Sequence, residues 1–320
     1  MILPEINNKG RSSAHVFRFI AAAVVATVFI LVGVTADAAL KQKVFATPED
    51  AVKAVITAAR NNDDKELIAI FGKSAKDLIF SGDAVEDKQR RELLLKTYDE
   101  KNSIVPQNGN MILVIGKDDW PLPIPLAKKG ETWFFDTKKG RQEVLNRRIG
   151  ENELSTIQTM LAVVDAQREY AVKDIDGDGV PEYARKFASD PGKKNGLYWE
   201  TKEGEEPSPL GPIVAQAKKE GYEGKKSGDK PIPLHGYYYR ILEAQGKNAA
   251  GGAFDYVLKG KMIGGFAVVA YPAKYGNSGV MTFVVNHDGV VYQKDLGKNT
   301  EKAAKTIKKF DPDKTWKKVE

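Results

Sequence analysis

The stretch that decides the fold is GGFAVVAYPAKYGNSGVMTFVVNHDGVVYQK, residues 264–294. Strand formers dominate 264–271, 280–286 and 290–294, and His287-Asp288-Gly289 reads as a hairpin turn between the last two. Two more strands, over 236–242 and 253–258, precede them. Upstream of these lies a loop-rich stretch reaching about residue 233. Before it, 141–172 reads as one long helical segment, with Leu154, Ile157, Leu161 and Val164 forming an apolar stripe. Gly150 interrupts that pattern at a cost of about 1 kcal/mol relative to Ala, so it marks a break or a boundary. A helix followed by consecutive hairpins predicts an antiparallel sheet with the helix covering one face.

Nearer the start, Thr47-Pro48-Glu49-Asp50 has the signature of a helix N-terminus: a hydroxyl cap, Pro in the first turn, then acids. Ala51, Val52, Val55, Ile56 and Ala59 follow at helical spacing. A second helix carries Leu67, Ile68 and Phe71, and a third, over 89–98, presents Leu93, Leu94 and Leu95. The period then changes to strands over 111–115 and 131–136. Trp120-Pro121-Leu122-Pro123-Ile124-Pro125 between them suits only an edge strand or a linker. The expected fold class is therefore α+β: two modules, each with helices packed on an antiparallel sheet, joined by the long helix.

The first residues have the order of a secretory leader. Lys9, Arg11 and Arg18 precede an uncharged run over 19–34, and Ala36-Asp37-Ala38 offers a cleavage site before Ala39. Sixteen residues fall short of the ~20 that span a bilayer core. The expectation is a signal peptide over 1–38 and a periplasmic or secreted protein. An uncleaved leader anchoring the chain to the membrane is the alternative, and otherwise no stable membrane insertion is expected after cleavage. The expected division is 39–149, 150–298 and a C-terminal tail over 299–320.

The chain has 320 residues, no Cys, three His and a net charge of +6. Loss of 1–38 removes three basic and two acidic residues and leaves +5. Absence of Cys excludes disulfides, thiolate nucleophiles and Cys-ligated metals. The Lys pairs are interspersed with Glu and Asp, so no basic stripe forms and no nucleic-acid partner is expected. The patterns G-x-S-x-G, S-x-x-K, H-E-x-x-H and the phosphate-binding loop are all missing. Ser208, between two prolines, and His287, beside Asp288, belong to no catalytic pattern, and no catalytic residue is assigned.

Two clusters qualify as sites. Asp174, Asp176 and Asp178 with Gly179 form D-x-D-x-D-G, and Glu182 falls at the ninth position of the loop. Alternate carboxylates can aim oxygens at one Ca2+, although Arg185 at the twelfth position excludes an EF-hand. A solvated acidic turn explains the same residues. In the second cluster, His235, Tyr237 and Tyr239 should share one strand face, with Tyr238 and Arg240 on the other. Eleven of the twelve Tyr lie after Gly150, as does Trp199, and the excess could line a stacking groove. Tyr is also simply a good strand residue. The expected role is a non-catalytic binding or assembly factor whose partner is an envelope component, protein or polysaccharide. The alternative is a hydrolase of cell-envelope polymer with its site between the Tyr-rich sheet and the 187–233 loops. Buried paired carboxylates facing that groove would favour the hydrolase.

Three resemblances add to these readings. Residues 48–58 and 120–137 resemble the opening helix and the Trp-Pro hairpin of nuclear-transport-factor-2-like modules, which implies a cone-like first half. Asn152-Glu153, Leu161, Ala166-Gln167 and Tyr170, with 270–289, resemble the helix and sheet end of pilin-like ectodomains. The charged 141–150 segment departs from the hydrophobic assembly helix of a pilin, so filament formation is not implied. Over about 47–319 the order of segments resembles the exported bacterial domain-of-unknown-function 2950 family. The residues that carry this are Ile149-Gly150-Glu151-Asn152-Glu153, 174–183, Gly196-Leu197-Tyr198-Trp199, 207–212, His235-Gly236-Tyr237-Tyr238, Phe254-Asp255-Tyr256, 264–267 and Phe310-Asp311-Pro312-Asp313 with Trp316. That resemblance implies export and leaves activity open.

Overall fold

A computed structural model describes residues 41–175, 177–222 and 231–320. The leader expected over 1–38, and Asp176 of the acidic turn, lie outside the described residues.

The chain begins with α1 (Pro48–Arg60), α2 (Asp64–Phe71), the short α3 (Lys76–Ile79) and α4 (Ala84–Glu100). Thr47 caps α1 as its sequence requires, its Oγ1 accepting the Asp50 N–H at 3.0 Å. The first sheet comprises β1 (Asn102–Gln107), β2 (Asn110–Ile115), β3 (Trp120–Pro121), β4 (Leu126–Lys129) and β5 (Thr132–Phe135). Its order is β1-β2-β4-β5, with the proline-limited β3 also on β2, and all pairs are antiparallel. Val52, Val55, Ile56, Ile70, Leu113, Leu126 and Phe135 close a hydrophobic core between these helices and this sheet.

Helix α5 (Thr137–Val172) runs 36 residues without interruption, so Gly150 is not a break. After α6 (Gly211–Lys219) come β6 (Tyr237–Leu242), the two-residue strands β7 (Ala244–Gln245), β8 (Phe254–Asp255), β9 (Val257–Leu258) and β10 (Lys261–Met262), then β11 (Ala267–Pro272), β12 (Met281–Asn286) and β13 (Tyr292–Asp295). The strand expected over 253–258 is thus two short pieces that pair with different neighbours, β8 with β7 and β9 with β10. Residues 299–320 are more than a tail. They form α7 (Thr300–Thr306) and β14 (Lys317–Lys318), and they bury Phe310. The second sheet is antiparallel in the order β14-β13-β12-β11-β6. Its register pairs Ala267 with Leu242 on one side and with Asn286 on the other.

Helix α5 covers one face of this sheet through Met160, Val163, Val164 and Tyr170. Leu154, placed on the apolar stripe by its spacing, is instead 67% exposed. The buried line of α5 runs through polar residues, Asn152, Thr156 and Gln167, each of which finds partners inside. Gln167, for example, donates to Ala184 O at 2.7 Å and accepts from Ala184 N–H at 2.8 Å. On the opposite face α7 sits over β11, and Arg240 donates to Ala304 O and Ile307 O at 2.9 and 2.6 Å, neutralising the C-terminal carbonyls of that helix. Two cores therefore exist, yet residues 40–320 cluster as one compact unit.

Two glycines of α5 test this geometry. A Cβ at Gly150 meets nothing within 4 Å, whereas one at Gly140 would lie 2.5 Å from Pro123 O. Gly150→Ala should therefore raise stability by about 0.5–1 kcal/mol in urea unfolding, and Gly140→Ala should lower it by about 1–3 kcal/mol. A neutral or destabilising Gly150→Ala would mean that the helix bends or breaks there.

Candidate functional site

Three regions hold the residues singled out by sequence, and a fourth holds residues that sequence reasoning missed. The fourth is a buried polar seam between the two cores. Asp83, 1% exposed, caps α4 by accepting from Val85 and Glu86 N–H through Oδ1. Its Oδ2 accepts from Tyr222 Oη at 2.8 Å and from Gly236 N–H at 3.1 Å. Glu86 pairs with Arg90 at 2.5 Å and accepts from Asn152 Nδ2 at 3.3 Å, and the same Asn152 amide donates to Ser278 O at 3.0 Å. Arg148, 4% exposed, donates to Asp77 O at 3.1 Å, to Leu78 O and to Asn277 Oδ1. Glu153 Oε1 accepts from the N–H groups of Val280 and Met281, both at 2.9 Å.

Burial raises the Glu86 and Asp87 carboxyls, the Arg90 and Ser81 contacts opposing it, while burial lowers the Arg148 guanidinium. Folded Glu86 and Asp87 hold protons to higher pH than unfolded carboxylates do. Their contribution to stability is thus greatest below the ordinary carboxylate range and falls as pH rises through the folded values. Asp77 is lowered, first by its hydrogen bond from Lys274, and acts in the opposite sense, stabilising above its ordinary value and losing that as pH falls.

The Tyr strand is next. Tyr237 and Tyr239 do share a face, toward α5, while Tyr238 packs at a tilt against Tyr271 of β11 and Arg240 reaches α7. Tyr237 is fully buried, its ring on Phe283 and its hydroxyl donating to Met281 O at 3.0 Å. A Cβ at Gly279 would fall within 2.0 Å of that hydroxyl, so glycine there gives the phenol its berth. Tyr237 is a core residue, with no surface to offer a ligand. Tyr239 donates to Thr156 Oγ1 at 3.3 Å, and burial pushes its hydroxyl up to about 12. His235 does not lie on the strand. With φ of +51° it occupies a tight turn with Gly236, at +72°, closed by mutual hydrogen bonds between Leu234 and Tyr237. Its ring packs edge-on against Tyr222.

In the acidic turn, Asp174 Oδ2 accepts from Gly179 N–H and Asp178 Oδ1 from Val180 N–H, both at 3.0 Å. Lys261 pairs with the other Asp178 oxygen, and among the described residues Asp174 Oδ1 is buried without a partner. Glu182 is half-buried near Arg185. Among the described residues no group of three or more His, Asp or Glu converges as a metal site, Asp176 not being one of them.

Trp199 belongs elsewhere. It lies with Tyr198 in a groove of about 540 Å³, lined also by Glu200, Pro207, Ser208, Gly211 and Lys218. Lys194 Nζ sits 5.4 Å over the Trp199 ring, and Lys218 Nζ donates to Tyr198 Oη at 3.1 Å. The structure therefore brings Trp199 together with Tyr198 and α6, not with His235, Tyr237 and Tyr239. Neither the buried carboxylates Asp83 and Glu86 nor the half-buried Asp87 lines this groove.

An α+β protein with a polar seam between two cores and an open aromatic groove is the class these features define. The chain belongs to the family described as protein of unknown function (DUF2950), whose family model matches residues 42–319. No curated protein and no solved structure matches it, and neither comparison adds support to the pilin-like or the nuclear-transport-factor-2-like resemblance. Among the described residues no helix is long and apolar enough to cross a membrane. Stretches singled out by sequence meet the geometry at both places. Asn152-Glu153 ties the seam, and the 196–199 and 207–212 motifs carry the groove.

Asp83 is the test of the seam. Asp83→Ala removes a cap and strands the Tyr222 hydroxyl and the Gly236 N–H, costing about 3–5 kcal/mol in urea unfolding. Tyr222→Phe, which leaves Asp83 its other donors, should cost only about 1 kcal/mol. Equal, small effects for both would mean that water satisfies Asp83 and the seam is not tight.

Proposed function

We propose that this protein is exported, loses its leader near Ala39, and acts in the periplasm or outside the cell as a non-catalytic binding or assembly factor. Its partner is an envelope component, protein or polysaccharide, held in the Trp199 groove. The observation that carries this reading is an open groove lined by two adjacent aromatic rings, Tyr198 and Trp199, and by the Lys218 ammonium that sits over the Tyr198 ring. Such surfaces favour ring faces and polar rims over bond-breaking chemistry. The carboxylates of the seam support it over hydrolysis. Asp83, Glu86 and Asp87 are engaged by main-chain N–H groups, Tyr222, Arg90 and Asn152, away from the groove, where no substrate bond would meet them.

The 174–182 turn is proposed as a weak structural calcium site. Support comes from the unpartnered Asp174 oxygen and from the crowding of like charges, and Lys261 must yield Asp178 to the cation. Few protein ligands imply a dissociation constant of about 10⁻⁴–10⁻³ M.

Isolated envelope polysaccharide and envelope proteins, presented to the full chain, should be retained, and Lys218→Ala should weaken retention severalfold. Release of new chain ends from the polymer would instead establish the hydrolase. For the turn, calcium ~10-fold above its dissociation constant should stabilise the fold by about RT ln 11, roughly 1.4 kcal/mol, read as a rise in Tm. Asp176→Ala should abolish that rise, and equal shifts in both proteins would leave the acidic segment as a turn only.

A further inference from the structure

We infer that residues 200–207 form a movable wall of the Trp199 groove, latched to the end of α5 by the Lys173–Glu206 ion pair. The latch follows from the loop's own contacts, while its role as a control on ligand entry rests on the binding reading above. The ends of the loop are fixed. Leu197 is fully buried, Ser208 and Leu210 are buried, and Leu210 N–H donates to Leu197 O at 2.9 Å. Between these anchors every residue from Glu200 to Pro207 is exposed. A surface loop whose ends meet while its body stands in water has the outline of an Ω-loop, a form that often shapes a site. Its internal order is a single turn. Glu205 N–H donates to Lys202 O at 3.0 Å, Glu205 Oε2 accepts from Lys202 N–H at 3.1 Å, and Gly204 takes φ of +86°. Among the described residues no main-chain hydrogen bond joins 200–207 to the rest of the protein.

Two ion pairs attach the loop instead, among the described residues. Glu200 lies 4.0 Å from Lys218, too far for a hydrogen bond. Glu206 accepts from Lys173 Nζ at 2.7 Å. Lys173 is the C-cap of α5, where the helix dipole favours a cation, and Glu169 holds its ammonium at 2.8 Å independently of Glu206. The Lys173 side chain, 21% exposed, is therefore the fixed catch, and that of Glu206, 75% exposed, is the part that leaves. Glu200, Thr201 and Pro207 line the groove beside Tyr198 and Trp199. Release of the loop takes that wall away and opens the rings at its root to solvent. An exposed ion pair holds a loop by a small margin, so latched and released forms interconvert and salt favours release.

Glutamyl endopeptidase acting on the full chain, with fragments identified by mass, tests the latch. The turn between Lys202 and Glu205 must open before the bond after Glu203 can enter a protease, so that cut reports release. Lys173→Gln and Glu206→Gln should each speed it about two- to fivefold, and the double variant should do no more than either alone. Added salt should speed the cut in the native chain relative to an unstructured peptide of the same sequence. Acrylamide quenching of Trp199, taken as total emission less that of Trp199→Phe, should rise in both single variants. Unchanged cutting, or effects that multiply in the double variant, overturn the latch. Faster cutting with unchanged quenching overturns the loop as a wall of the groove. Neither readout uses a ligand, so failure to retain envelope components would strike the binding reading and leave the latch standing.

Discussion

A guanidinium taken out of water keeps its charge, so a buried arginine organises whatever surrounds it. Arg148 stands on α5 where the first core ends and the second begins. Its donors reach Asp77 O and Leu78 O on one side and Asn277 on the other. Asn277 in turn donates to Asp77 O and Phe80 O, so the α3 turn and the β11–β12 loop are bound to the same point. Asp87, Glu86 and Asp77 supply the compensating negative charge, and each of the first two is itself held by further hydrogen bonds. Neither core can move against the other without exposing or stranding one of these groups. This explains how a chain with two hydrophobic cores folds as one compact unit.

Much of the fold was legible because it obeys local rules. Thr47 and Pro48 start α1 through capping geometry that needs no tertiary partner. The period-2 rule places Tyr237 and Tyr239 against α5 and Tyr238 and Arg240 toward α7. The errors share one cause. Reading burial from apolar residues alone put Leu154 inside and overlooked Asn152, Thr156 and Gln167. Asn152 and Gln167 are buried because distant main-chain groups, Ser278 O and Ala184 N–H and C=O, satisfy them, and Thr156 accepts from the Tyr239 hydroxyl. Such partners are 17 and 126 residues away and leave no trace in local periodicity. Gly150 misleads for the converse reason, since a solvent-facing glycine only weakens a helix that packing on both sides enforces.

The site was legible in part. Trp199 lies on an open groove, but its companions are Tyr198 and α6, and the loop-rich 187–233 stretch gave no periodicity from which to fold them together. Tyr237 failed as a candidate because a strand tyrosine can turn its polar tip inward when a carbonyl such as Met281 O accepts it.

The groove and the seam are joined by α6. At its start Leu210 N–H donates to Leu197 O, fixing the helix to the strand-like segment that carries Tyr198 and Trp199. Just past its end Glu220 O accepts from Gln89 of α4, and the Tyr222 hydroxyl donates to Asp83. A helix of nine residues has little stability of its own, so its position is set by these two anchorages. The charge of Asp83 thereby does two things at once: it caps α4 and it holds the C-terminal side of the helix whose N-terminus forms the groove. The groove residues contributed by α6 and the seam are thus held by one element with an anchorage at each end.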